Sequence, residues 1–221
     1  MPENPENPDP ARSPQSPPQS PPQSPTRPGE RVVRTLDART LRGLAHPLRI
    51  RLLSVLRNDG PATASQLAGV LGESSGATSY HLRQLAAYGF VEDAPEHGKG
   101  RERWWRAVYD GTRFDDRLSD DPDPAVRGAA DMFLHEIATV HAQELATWLG
   151  NAHRWSPEWR RASDMSDYTV RLTPERSHEL ILKMHELIQT YRDAEPADRA
   201  DEPEGTTPVR FHLHAFPRTT A

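Results

Sequence analysis

From Leu36 onward the apolar residues recur at helical spacing, and their phase predicts the elements. Asp37 can cap a short helix running through Leu44. In "HPLRIRLLSVLRNDG", Pro47 stands in a first-turn position, Leu48, Leu52, Val55 and Leu56 share one face, and Asp59-Gly60-Pro61 stops the helix. A narrower stripe, Leu67, Ala68 and Leu71, predicts a second helix over about 65–71, ended by Gly72. Ser74 or Ser75 then caps a third helix. In it Thr78, His81, Leu82 and Leu85 face inward, while Gly76, Ser79, Tyr80, Arg83 and Ala87 face out. Two short helices joined this tightly through a glycine predict a helix-turn-helix.

The stretch "GFVEDAPEHGKGRERWWRAV" (89–108) reads as two strands around a loop containing Gly98 and Gly100. Such a hairpin is a wing, and its tip and descending strand carry His97, Lys99, Arg101 and Arg103. Trp104 and Trp105 fall on opposite faces, so one is expected under the helices and the other against the C-terminal region. "DDRLSDDPDP" then reads as an acidic linker. From Pro124 to about Gly150 runs a long amphipathic helix presenting Val126, Ala130, Phe133, Ile137, Val140 and Trp148, a face suited to packing across a dimer axis. Tyr168, Val170 and Leu172 predict a strand, Thr173-Pro174 open a helix with Leu180, Ile181, Met184, Leu187, Ile188 and Tyr191 inward, and "VRFHLHAFP" predicts a last strand. The fold class is therefore mainly α with α+β elements: a tail (1–29), a winged helix-turn-helix domain (30–110), a linker (111–123), and a helical and strand-helix-strand region for dimerisation or effector binding (124–221).

Composition sharpens this picture at both ends. Among 221 residues there are 22 prolines, and "QSPPQSPPQSP" repeats every four residues, which predicts a disordered tail with local polyproline II character. The net charge of -5 conceals a segregation: residues 31–109 hold twelve Lys and Arg against seven Asp and Glu, net +5, leaving -10 elsewhere. With no cysteine, disulfides, thiolate metal sites and cysteine nucleophiles are excluded. No apolar run approaches the ~20 residues of a membrane span, and no hydrophobic signal region opens the chain, so a cytoplasmic protein without a membrane partner is expected. A glycine-rich phosphate loop, a nucleophile elbow and an HExxH pair are all missing, which argues against an enzyme.

The third helix begins with small residues that let it enter a major groove closely, its positive dipole end near phosphate, with Tyr80 and Arg83 reaching further in. Arg83 suits a guanine edge or a phosphate, and the wing cations suit the backbone or the minor groove. "LRGLAHPLRIRLLSVL", "SQLAGVLGESSGATSYHLRQLAAYGFVE" and "GKGRERWWRAV" together resemble the winged-helix domain of ArsR-type bacterial transcriptional regulators, specifically actinobacterial members with an added C-terminal domain. The resemblance covers about 36–108. It implies a homodimer that binds operator DNA, and it carries over Ser75, Gly76, Thr78, Ser79, Tyr80 and Arg83 as recognition-helix positions, although the phase turns Thr78 inward. Metal-sensing members commonly use a cysteine pair near this helix, and this chain has none.

The sequence reading is a sequence-specific regulator of transcription, a repressor, bound to double-stranded DNA as a homodimer through the 124–150 helix, with no cofactor. Its alternatives are a winged-helix module for protein contacts and a His-dependent metal-responsive regulator. The metal candidates are His212 and His214, at i, i+2 on one strand face. A small anionic effector is a further candidate, near Arg171 and Arg210.

Overall fold

The computed structural model describes residues 32–98, 102–195 and 203–218; the tail at 1–29, Lys99 and Arg101 lie outside them. Strand β1 (Val33–Thr35) leads into helix α1 (Ala38–Leu44), which starts at a reciprocal cap. Asp37 accepts from the Thr40 amide at 2.7 Å, and Thr40 Oγ1 accepts from the Asp37 amide at 2.9 Å. Helix α2 (Pro47–Asn58) has proline in its first turn and His46 as N-cap, with Nδ1 accepting from the Leu48 amide at 3.1 Å. Strand β2 (Ala62–Thr63) passes directly into α3 (Ala64–Leu71), and Gly72 at φ +68 ends that helix in the left-handed conformation glycine tolerates. Helix α4 (Ser75–Ala87) follows. Strands β3 (Val91–Asp93) and β4 (Trp104–Ala107) then make the wing, with antiparallel sheet order β2-β4-β3.

Leu41, Leu52, Leu82, Leu85 and Phe90 are fully buried at the centre of these elements. Each such side chain contributes about 1.5–3 kcal/mol relative to exposure. Trp105 is the tryptophan that lies under the helices, and Trp104 faces the other way. It stacks on His97 with ring centroids 5.9 Å apart and covers Gly98, where an added Cβ would sit 2.6 Å from Trp104 Cδ1.

The expected acidic linker is part of the domain. Strand β5 (Gly111–Arg113) pairs in parallel with β1, and Leu118 is buried in a short 3-10 turn. Helix α5 (Pro124–Asn151), capped by Asp123, then sends Val126, Ala129, Ala130 and Phe133 into the same core. Phe133 stacks on Phe114 at 5.9 Å, so it packs within its own protomer rather than in an intermolecular seam. The aspartates point to a spacer, but Phe114 and Leu118 among them are what the core takes up.

Beyond α5 come α6 (Pro157–Ala162) and α7 (Pro174–Asp193), the latter capped by Thr173 and opened by Pro174 as expected. The strand-helix-strand unit is not formed in the protomer: 163–173 and 206–218 carry no strand, and α7 buries no residue. Alternating side chains favour a ladder only where another strand supplies the backbone partners, and among the described residues none does.

Candidate nucleic-acid interface

The α3–α4 pair places one helix end in the open. Ser74 caps α4 by accepting from the Ala77 amide at 3.2 Å, and Ser75 and Gly76 in the first turn are exposed. Leu82, Leu85 and Thr78 at 0% exposure fix the roll of the helix, leaving Tyr80 54% exposed, Arg83 exposed and Ser79 half-buried. Thr78 is therefore a core residue and not a DNA contact, because the helical phase places it beside Leu82 and not beside Tyr80. Arg83 takes part in no ion pair among the described residues, so its guanidinium is free for a ligand.

Between α3, α4 and β4 runs a groove of about 280 Å³ lined by Ser65, Ser79, Arg83, Glu102, Arg103 and Trp105, among others. It joins the recognition-helix positions to the wing. The wing's cations are less free than the sequence suggests. Arg103 lies 3.0 Å from Asp93 and 4.1 Å over the Trp105 ring; Arg106, absent from the expected set, bridges Glu92 at 2.8 Å and Glu96 at 2.7 Å. His97 is 3.7 Å from Glu96. Exposed pairs of this kind contribute at most about 1 kcal/mol, so a phosphate can replace the carboxylates. Arg106 lies on β4 and Arg103 just before it, and the acidic residues that hold them are visible in the sequence only as part of a charge count.

Behind the exposed face of α4 lies an imidazole pair that helical phase alone does not join. His46, the α2 cap, and His81 of α4 have ring centroids 4.1 Å apart, and His81 Nδ1 is buried without a hydrogen-bond partner. Burial, then the Arg49 and Arg51 charges, hold His46 below the ordinary histidine range; burial, then His46 and the Arg49 charge, do the same to His81; Glu73 opposes this at both, and Glu136 at His46. Lowered folded-state values mean the fold favours neutral rings. That contribution is complete above about pH 6.5 and is lost as pH falls through the lowered values. Protonation also removes the His46 lone pair that caps α2. The thermal midpoint is expected to fall on acidification below pH ~6.5, and His46→Asn, which keeps a cap acceptor without the titration, should flatten the fall. Equal pH dependence in the variant contradicts the assignment.

The C-terminal histidines meet a third one on α5. His141 Nδ1 is 2.9 Å from His214 Nε2, His212 Nε2 is 3.0 Å from Glu144, and burial followed by the two neighbouring imidazoles pushes His141 down to about 4. The His141 and His212 rings are stacked at 3.9 Å and 7°, so an ion in the plane of one ring lies outside the plane of the other. Among the described residues no group of three or more His, Cys, Asp or Glu is arranged to hold a metal ion. Arg210, expected near an anion, is bonded to Asn58 and lies 3.5 Å from Glu144. Among the described residues no helix is long and apolar enough to cross a membrane.

Residues 44–94, from the end of α1 through β3, match the family model described as a helix-turn-helix domain. Several solved structures are similar to this chain, two of them as follows. One, described as "Possible transcriptional regulator for arsenical resistance", is 25% identical, covering 60% of this chain and 99% of that chain at a TM-score of 0.28. The other, a mutant of Lactococcus lactis ZitR in apo form, is 16% identical over 69% of this chain and 86% of that chain, also at 0.28. Among curated proteins there is no match.

Proposed function

We propose that this chain, a helix-turn-helix protein of the ArsR type, is a sequence-specific DNA-binding regulator of transcription that represses as a homodimer on a pseudo-palindromic operator. The observation that carries the reading is α4: a capped helix end with Ser75 and Gly76 bare, Tyr80 and Arg83 projecting, and a groove leading to a basic wing. Small first-turn residues admit the helix to the major groove, Arg83 forks onto a base edge, and the wing lies along the backbone.

The dimer reading keeps α5 but moves the contact along it. Leu134, Leu145 and Leu149 are each more than two-fifths exposed, whereas Phe133 is spent on the core. These positions suit a seam between two copies, which sets their recognition helices about one turn of DNA apart.

Salt titration tests the DNA reading. Each phosphate that the protein neutralises adds nearly one unit to the slope of log affinity against log salt. Replacing Lys99, Arg101 and Arg103 by alanine is expected to weaken binding to every sequence and to reduce that slope by about one unit for each phosphate no longer neutralised. An unchanged slope means the wing does not touch the backbone, and a slope near zero for the wild type removes DNA as the ligand.

A further inference from the structure

In the groove between α3, α4 and β4, one carboxylate stands where the surrounding groups suit an anion. Ser65 lies in the first turn of α3, at the positive end of that helix, and Arg83 and Arg103 bring two cations to the same groove. Serine hydroxyls, helix N-terminal amides and arginines are the groups with which proteins hold the DNA backbone. In this structure the Ser65 hydroxyl is already taken: it donates to Glu102 Oε1 at 3.1 Å. Glu102 is unlike the other acidic residues of the wing. Asp93 holds Arg103 at 3.0 Å, and Glu92 and Glu96 hold Arg106 at 2.8 and 2.7 Å, whereas Glu102 enters no ion pair among the described residues. Nor does α3 need it as a cap. Thr63 Oγ1 accepts from the Gln66 amide at 3.3 Å and Gln66 Oε1 from the Thr63 amide at 2.8 Å, a reciprocal pair that is complete without Glu102. Both Ser65 and Glu102 are exposed, so burial does not account for their contact either.

We infer that Glu102 is a built-in competitor for a backbone phosphate of DNA: its carboxylate holds Ser65 in the free protein, and a phosphate displaces it when a duplex enters the groove. A phosphate oxygen accepts a hydroxyl hydrogen as a carboxylate oxygen does, so one can stand in for the other on Ser65. An exposed contact of this kind is readily exchanged. The exchange has a cost on every duplex, because the displaced carboxylate is left beside a second anion. That cost is the same whatever the bases are. Glu102 therefore sets the absolute affinity, while Tyr80 and Arg83 set the preference for one sequence. The inference rests on the proposed function and deepens it, by naming the ligand group that the groove takes and the residue that withholds its place.

Binding of the full-length chain to a random-sequence duplex, and to the duplex that the wild type selects from a randomised pool, tests the inference. Glu102→Ala is expected to bind both roughly five- to tenfold more tightly, and the slope of log affinity against log salt should steepen by about one unit. Ser65→Ala is expected to change little in the wild type and to cancel most of the gain in the Glu102→Ala background, since only there is the hydroxyl free for a phosphate. Glu102→Gln, which removes the charge and keeps an acceptor for Ser65, is the second variant should alanine disturb the fold, and it is expected to show a smaller gain on both duplexes. A gain that Ser65→Ala leaves intact is the effect of net charge alone and overturns the inference. A loss confined to the selected duplex overturns it too, and makes Glu102 a reader of a base amino group. A wild type whose affinity does not depend on salt removes the DNA reading itself, whereas a steep wild-type slope that neither Glu102 variant moves removes the inference alone.

Discussion

Phe133→Asp is expected to unfold the winged domain, not to release folded protomers from a dimer. Phe133 is 5% exposed, stacks on Phe114 and shares its core with Val126 and Ala130. A carboxylate there loses the aromatic packing, worth about 3–5 kcal/mol, and carries an unpaired buried charge that costs several more. Together these approach the whole stability of a domain, about 5–15 kcal/mol. Circular dichroism and a thermal melt should show loss of the cooperative transition. Leu134→Asp, one residue along and 42% exposed, should keep that transition. A folded Phe133→Asp protein with a normal melt would remove α5 from the winged-domain core.

Tyr80→Ala combined with Arg83→Ala is expected to abolish operator preference while leaving affinity for random DNA nearly intact. Each base interaction removed costs on the order of 1–3 kcal/mol on the specific site, so the pair spans about two to four decades in affinity. Thr78→Val provides the contrast: Thr78 is buried, with its hydroxyl lacking a hydrogen-bond partner, so the change should leave operator affinity unaltered. Binding assays on operator and scrambled duplexes decide this. Equal losses on both place Tyr80 and Arg83 at phosphates.

The legible part of the fold is the part governed by short-range rules. Caps at Asp37, Ser74 and Thr173, the stop at Gly72 and the roll of α4 all follow from neighbouring residues, and each stands where the spacing puts it. What the sequence conceals depends on partners far along the chain. The parallel pairing of β1 with β5 joins residues nearly eighty apart, and three-residue strands leave no periodicity to detect. The dimer assignment of Phe133 fails because an amphipathic stripe gives the direction of burial and not what lies there. Likewise, 209–216 alternates as a strand does, but the period is the same whether the polar or the apolar set faces inward.

Because α5 starts inside the winged domain and leaves it halfway, the helix is a stiff lever. Its 28 residues span ~42 Å, and the end near Val126 is fixed to the body that carries α4. A tilt of about 10° between two such rods displaces a point ~20 Å from the pivot by about 3.5 Å, close to the rise of one base pair along a strand. In the proposed dimer, repacking around His141 and His212 at the far end would reach the DNA as a change in the span between the two recognition helices. Neither helix needs to alter its own shape.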